Sequence, residues 1–552
     1  MADYIGSADD DIFGIGITYE YNFFDGRNGY DRIAFDLSAS SVGVVIYLYR
    51  HELPNMWFSS IDFGYGNSPY YSRAVQKYTN IEGISLVLGE ADDFLTVEGD
   101  TDGVPLFVDG GGGPDIISYA SSSSEGVIFA LDATPGVINR IDEKDVTFVN
   151  FERLQFSASG GNNVVTGAER SDRLSTGTGN DILYGLGGHD DLYAGDGNDL
   201  VEGGAGDDVL DGGSGNDTLS YAHAVAGVRV TLETKLYQDT GGAGFDQVSG
   251  FENIRGSAFN DDLMGDNGNN ILSGLAGADR MVGRGGDDQY WVDTIGDVVI
   301  EATGGGYDAV FSRIDYSLPD NVEALTLIGR ANVDAIGNDL DNVLTGNAGN
   351  NRLQGLSGED VLIGGAGDDI YHVNSAGDVV IEAPGEGNDL IVSSRSIDLL
   401  SMADVENVRL VGGRSLNLNG NALDNVLQGN AGDNILRGFG GHDVLTGGAG
   451  RDIFGFDRTP GMGNLVTITD FVVGEDRIDL VGTAFAALAP GALSEGSFAS
   501  GGMASDADDR ILYDGATGGL FYDADGSGVG EAVQFATLSP GLTLANTDFW
   551  VV

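Results

Sequence analysis

The chain of 552 residues has no cysteine, only 10 prolines, and 26 basic residues against 86 acidic ones. The missing cysteine excludes a disulfide framework, thiol catalysis and cysteine-ligated zinc, while leaving the compartment open. So little proline argues against collagen and proline-rich linkers. Without clustered lysine and arginine there is nothing to hold a phosphate backbone, so nucleic acid is not an expected partner. No apolar run approaches the roughly 18 residues of a membrane span. Residues 1–20 contain Asp9, Asp10 and Asp11 and no basic residue. Neither a membrane span nor a cleavable secretory signal is therefore expected.

What is present is glycine, 90 residues of it, about twice the usual share. The hydrophobic fraction of 41% is too high for a disordered acidic chain, yet a formal charge of -60 opposes any compact state unless cations neutralise it. Composition alone thus predicts a counterion.

The glycines are periodic. Five nonapeptides run in tandem at 176–220: TGTGNDILY, GLGGHDDLY, AGDGNDLVE, GGAGDDVLD and GGSGNDTLS. Clusters of four follow at 256–291, 337–372 and 420–455, with isolated matches at 110–118 (GGGGPDIIS) and, more weakly, at 26–34. Glycine falls at places one, two or four, aspartate or asparagine at place six, and a large apolar residue at place eight. Glycine permits the left-handed backbone of a tight turn, and the last three residues of each unit are long enough for a short strand. Two units make one coil. Stacked coils give parallel strands, point Leu183, Leu192, Val201, Leu210 and Leu219 into a thin core, and superpose the acidic turns along each edge. Superposed carboxylates repel unless a cation lies between them. Calcium suits such turns because it accepts six to eight oxygens, carboxylate and carbonyl mixed, in a forgiving geometry. Metals preferring sulfur or nitrogen are not expected from this donor set.

The consensus GGxGxDxUx, with U a large apolar residue, resembles the RTX (repeats-in-toxin) calcium-binding β-roll family. The resemblance implies an all-β fold, a parallel β-roll or β-helix solenoid of nonapeptide repeats with β-rich N-terminal and C-terminal caps. It also implies that each ion is held between turns two units apart on one edge. Carried over by motif, the metal ligands are Asp115, Asp181, Asp190, Asp199, Asp208 and Asp217, then Asp261, Asp279, Asp288, Asp360, Asp369, Asp443 and Asp452. At Asn270, Asn342, Asn351, Asn425 and Asn434 the acid is replaced and weaker or absent ions are expected. The competing reading is that some of these aspartates only cap turns. Asp523 and Asp525 resemble the start of an EF-hand loop, but Gln534 stands where the bidentate glutamate belongs. That stretch is either a further ion site or a glycine-rich hairpin turn.

Longer repeats overlie the short one: DDQYWVD with GDVVIEA at 287–302 recurs as DDIYHVN with GDVVIEA at 368–383. A second module recurs at 110–154 and 212–254, each time ending in an aromatic-Glu pair, NFERL and GFENI. The intervening segments alternate like strands and are read as wider coils or side flaps. The organisation expected is an aromatic-rich N-terminal β region at 1–105, a degenerate β-roll module at 106–175, the repeat region at 176–455, and a C-terminal cap at 456–552. The last hundred residues, with RDIFGFD, ITDFVVGEDRIDL and a terminal Asp548, Phe549, Trp550, Val551, Val552, are similar to the C-terminal domain of serralysin-like proteins. That similarity implies type I export and a secreted, extracellular or cell-surface location.

Export and calcium combine into one expectation. Where calcium is scarce the unpaired acids oppose coil stacking; outside the cell they are bridged. If each site binds about tenfold more tightly than the ambient level, each adds ~1.4 kcal/mol, so ten independent sites add about 14 kcal/mol, comparable with a domain's stability.

The one His-Glu pair reads His51-Glu52-Leu53-Pro54-Asn55, not HExxH, and no G-x-S-x-G elbow or phosphate loop is present. His189 and His442 fall at the variable place five and His372 in a strand, and none is assigned a role. Seventeen of the 49 aromatics lie in the first 78 residues, a cap over an open solenoid end or a face for glycan or self-association. The sequence thus reads as a non-enzymatic, secreted calcium protein of surface-layer, matrix or adhesive type. Its expected partners are calcium ions, the type I secretion apparatus and a second copy or surface glycan. The alternative is a polysaccharide-binding or polysaccharide-active protein using the intervening strands or the aromatic N-terminal region.

Overall fold

In the computed structural model, residues 106–552 are described except 122–126, 135–138, 141–145 and 462, and within 1–105 the strands alone. The aromatic N-terminal region, with its expected cap or binding face, falls for the most part outside the described residues. Two compact units emerge, Met1–Gly306 and Tyr307–Val552. Their boundary lies inside the stretch read from sequence as one repeat region. Among the described residues there is no α-helix, only short strands and three single-turn 3-10 segments, and no helix able to cross a membrane.

In the first unit the nonapeptide sets the geometry. Arg173–Thr178 pairs in parallel with Asp191–Asp196, and that strand with Val209–Ser214. The alternate units pair likewise, Ile182–Gly187 with Leu200–Ala205 and then Thr218–Ser220. Partners along a row are 18 residues apart, so a coil is two units and the rows form two sheets. Leu183, Leu192, Val201, Leu210 and Leu219 are fully buried between them. Strand alternation explains this, since places seven and nine point outward and place eight inward. The coil begins one turn earlier than the tandem array suggested: Val164–Thr166 and Arg173–Thr178 already sit in register with the repeats.

At 221–245 the coil widens. Arg229–Thr231 opens a new parallel row with Asp262–Met264, and Gln238–Asp239 turns back antiparallel on Phe245–Ser249. A nonapeptide overlooked in the sequence, GGAGFDQVS at 241–249, then resumes the older row, Val209 pairing with Gln247.

The second unit repeats the scheme. Ile370–Val373, Leu390–Ser393, Asn407–Leu410, Val426–Gln428 and Val444–Thr446 form one parallel row. After Arg477–Leu480 an antiparallel meander, Ile511–Asp514, Gly519–Tyr522 and Val533–Thr537, joins the parallel rows. Val533–Thr537 pairs with Val466–Ile468 and Phe549–Val551 with Arg477–Leu480, so the chain end closes the last coils. Phe454, Phe485, Phe535 and Phe549 fill the space beneath.

Candidate metal centres

Each turn is built from the place-six residue outward. In the first array the N–H of Asp181 donates to Asp199 Oδ1 at 2.7 Å and that of Asp199 to Asp217 Oδ1 at 2.8 Å. On the other edge Asp172, Asp190, Asp208 and Asp246 form the same ladder. One oxygen of each aspartate thereby stitches successive coils. In the five tandem units the other is stranded: Oδ2 of Asp181, Asp190, Asp199, Asp208 and Asp217 is buried with no hydrogen-bond partner. The same holds for Asp279, Asp360, Asp369, Asp443 and Asp452. A buried carboxylate oxygen without a donor is costly unless the group is protonated or a cation takes the donor's place.

Burial and neighbouring like charge both act on these carboxyls. Burial pushes the Asp190 carboxyl up to about 8, with the Asp208 and Asp172 carboxylates adding to the rise. Burial likewise raises Asp208, Asp279 and Asp443 to about 7, and Asp199, Asp217, Asp360, Asp369 and Asp452 to about 6.

The residues fit calcium. A Cβ added to Gly185 would come closer than 3.0 Å to both Asp190 Oδ2 and the carbonyl oxygen of Gly203, one coil along the same edge. Glycine at place one thus leaves a small cradle rimmed by carboxylate and carbonyl oxygen, the hard donor set calcium selects. In this chain Asp181, Asp190, Asp199, Asp208, Asp217, Asp279, Asp360, Asp369, Asp443 and Asp452 would hold the ion, which supplies the positive charge that lets buried carboxylates stack.

The turns divide into two classes, decided at place two. Where that residue is left-handed, as at Gly177, Leu186, Gly204, Leu275, Leu356, Gly365, Phe439 and Gly448, its N–H is turned away and the place-six carboxylate is left open. Where it is not, in the four-unit clusters, the N–H closes on the place-six side chain; in the 241–249 unit the Gly242 N–H instead donates to the Gly227 carbonyl, and Asp246 Oδ2 accepts from the Tyr221 and Thr240 hydroxyls. Asn338 donates to Asn342 Oδ1 at 2.7 Å, Asn347 to Asn351, Asn421 to Asn425, Asn430 to Asn434 and Asp266 to Asn270. The five asparagine turns are all of this closed type, so the missing charge is matched by a protein donor.

Asp261 belongs with them. Its Oδ2 accepts the Ser257 N–H at 2.6 Å, and its Oδ1 the Ser257 hydroxyl and the Val228 N–H. Each four-unit cluster therefore runs closed, closed, open, open. Asp115 and Asp288 lie in turns with left-handed Gly111 and Arg284 at place two. Asp523 and Asp525 lie away from the repeat edges, in the loop between Gly519–Tyr522 and Val533–Thr537. Asp525 Oδ2 accepts the Gly530 N–H and Asp523 Oδ1 the Asp525 N–H, a hairpin loop held by its own acids.

Two sets of residues escaped sequence reasoning. Place five is not variable in role: Asn180, His189, Asn198, Asp341 and Asp424 each accept the place-five N–H one coil later. His189 is a rung, its Nδ1 taking the Asp207 N–H at 3.0 Å. The glutamates of the aromatic-Glu and Val-Glu pairs stand in for a place-six acid where a coil is displaced. Glu152, Glu252, Glu323 and Glu406 accept the N–H of Asp115, Asp217, Asp308 and Asp389, each at 2.8–2.9 Å. Their signal in the sequence was the recurring aromatic-Glu or Val-Glu pair, in the triplets FER, FEN, VEA and VEN.

Comparison with known proteins agrees with the geometry. The family model for the RTX calcium-binding nonapeptide repeat (four copies) matches residues 157–192, 184–219, 255–290, 336–371 and 419–454. The chain is 32% identical over 113 residues to the endo-1,3-1,4-beta-glycanase ExsH of Rhizobium meliloti (strain 1021). That stretch is 20% of this chain and 22% of the relative, so the chain spans about a fifth of the curated relative it matches. The stranded oxygens, the glycine cradles and the family match converge: the chain carries RTX calcium-binding nonapeptide repeats, wound into a parallel β-solenoid.

Proposed function

We propose that this is a secreted, non-enzymatic protein whose solenoid folds on extracellular calcium and then serves as a structural, self-assembling or adhesive component of a cell surface or matrix. The observation that carries the reading is the column of buried place-six carboxylates with no protein donor on Oδ2. Such columns resist stacking at neutral pH when calcium is scarce, and divalent cation relieves them. Under this reading the last hundred residues direct type I export of the unfolded chain. The test is circular dichroism of the purified chain in chelator and then in millimolar calcium, followed by light scattering. Sheet and scattering are expected to rise together with calcium. Native-like sheet in chelator would overturn calcium-dependent folding, and a strictly monomeric calcium form would overturn self-assembly.

A polysaccharide-directed role is the second reading, favoured by the partial likeness to a glycanase and by one cleft. Between the widened coil and the outer sheet face lies a cavity of about 420 Å³ lined by Tyr184, Leu186, Glu202, His223 and Val225. Glu202 is buried and holds His223 Nδ1 at 2.9 Å, with the Ser220 hydroxyl on its other oxygen. Depletion or cleavage of a β-glucan by the calcium-loaded monomer, lost in His223→Ala, would favour this reading over the structural one.

A further inference from the structure

The twice-repeated GDVVIEA segment does something the nonapeptides do not. Along the edge that carries Gly346 and Gly364, the next place one, 18 residues on, is Glu382 instead of glycine. Its turn is two residues longer, so the place-six acid is Asp389, whose Oδ1 accepts the Asp369 N–H at 2.8 Å. The Glu382 side chain enters the cradle that glycine otherwise leaves open. One carboxylate oxygen each from Asp369, Glu382 and Asp389 lies within 4.8 Å of the others.

Asp369 is 1% exposed with Oδ2 unpartnered and aimed into this cluster, and Glu382 Oε2 is buried without a hydrogen-bond partner. Tyr371 takes the inward place eight, where the neighbouring coil has Leu353, and its hydroxyl donates to Glu382 Oε1. A Cβ on Gly364 would come closer than 3.0 Å to the Tyr371 hydroxyl, Asp369 Oδ2 and Glu382 Oε1.

The arrangement recurs in the first unit. Tyr290 donates to Glu301 Oε1, and a Cβ on Gly283 would meet the Tyr290 hydroxyl, Asp288 Oδ2 and Glu301 Oε1.

We propose that Asp369, Glu382 and Asp389 form a three-carboxylate divalent-cation site, different in donor set from the nonapeptide turns and filled by calcium before them. The physical ground is charge and position. Calcium affinity rises with the number of charged ligands and the rigidity of the site. Here the glutamate adds a carboxylate, and Tyr371 pins that carboxylate from the core. Glu301 and Asp288 make the corresponding pair in the first unit. The inference rests on the reading that the open turns hold calcium.

Terbium serves as the probe, because a tyrosine ring beside a bound lanthanide sensitises its emission. The full chain is titrated with Tb³⁺ under tyrosine excitation, then back-titrated with calcium. An early, bright class is expected ahead of the array sites. Glu382→Gln is expected to halve that class and to move the lost half at least tenfold higher in metal. Adding Glu301→Gln is expected to abolish the class.

An unchanged early class in Glu382→Gln, with calcium-induced sheet intact, overturns this inference and leaves the calcium reading standing. Failure of the parent chain to gain sheet with calcium overturns the reading itself. If Glu382→Gln does not fold, Tyr371→Phe decides. It keeps all three carboxylates and removes the phenol, so the early emission is expected to fall by about half. Undiminished early emission places the first ion elsewhere and overturns the proposal.

Discussion

At the scale of single residues, the place-six aspartate has two oxygens with opposite duties. Oδ1 is a structural acceptor for the coil below, and Oδ2 is buried without a donor. Removing the charge therefore changes sign with conditions. Asp190→Asn keeps an acceptor for the ladder and removes the buried charge. It is expected to stabilise the protein in chelator at pH 8 and to cost the calcium form ~1.4 kcal/mol, one site at tenfold saturation. Urea unfolding under both conditions measures this, and the same sign in both would refute the split role. Glycine at place four is as restrictive. Gly206 sits at φ 147, and a Cβ there would come closer than 3.0 Å to the Gly188 carbonyl oxygen. Gly206→Ala is expected to lose about 3 kcal/mol even in calcium, since backbone cannot yield as a side chain can.

The turn is the element in which place two decides the outcome. Left-handed Leu275 opens the turn of Asp279, whereas Ser257 closes that of Asp261 by donating its N–H. Two aspartates alike in sequence are thereby unlike in hydrogen bonding. Asp279→Asn is expected to lower the calcium-dependent gain in stability by ~1.4 kcal/mol. Asp261→Asn is expected to change it by less than about 0.5 kcal/mol, because Asn270 and Asn342 already close such turns. Calorimetric unfolding at fixed calcium compares the two; equal losses would show that the closed turn is a metal site after all. The place-eight core and the place-six column were legible from the sequence because both follow the nine-residue period. The closed class was legible in part, through asparagine at place six. Asp261 was not, because its closure depends on the backbone handedness of Ser257 four residues earlier; the place-five ladder and Glu252 were not, because each depends on a hydrogen bond to a residue 18 or more positions away whose partner is chosen by stacking.

For the whole molecule, the raised carboxyls link folding to pH. Burial holds Asp190 near 8 and Asp208, Asp279 and Asp443 near 7 in the metal-free fold. An acid whose folded pKa lies above its unfolded value binds its proton more tightly when folded. The metal-free fold thus gains stability as pH falls from about 8 towards about 4, and loses it as pH rises through the folded values. In chelator, sheet content by circular dichroism is expected to grow between pH 8 and pH 5, protons substituting for metal. With calcium bound the same carboxylates stay ionised, and the curve is expected to be flat. Sheet that grows with rising pH in chelator would contradict the raised carboxyls.

The amino-acid order by itself determined the coil, because a period of nine with one apolar and one acidic place can bury its apolar column only by stacking in register. Only the tertiary structure decided which acids remain without a donor and where glutamate or tyrosine enters a cradle. Those outcomes depend on backbone handedness at place two and on which coil lies above, neither of which is written in any one repeat.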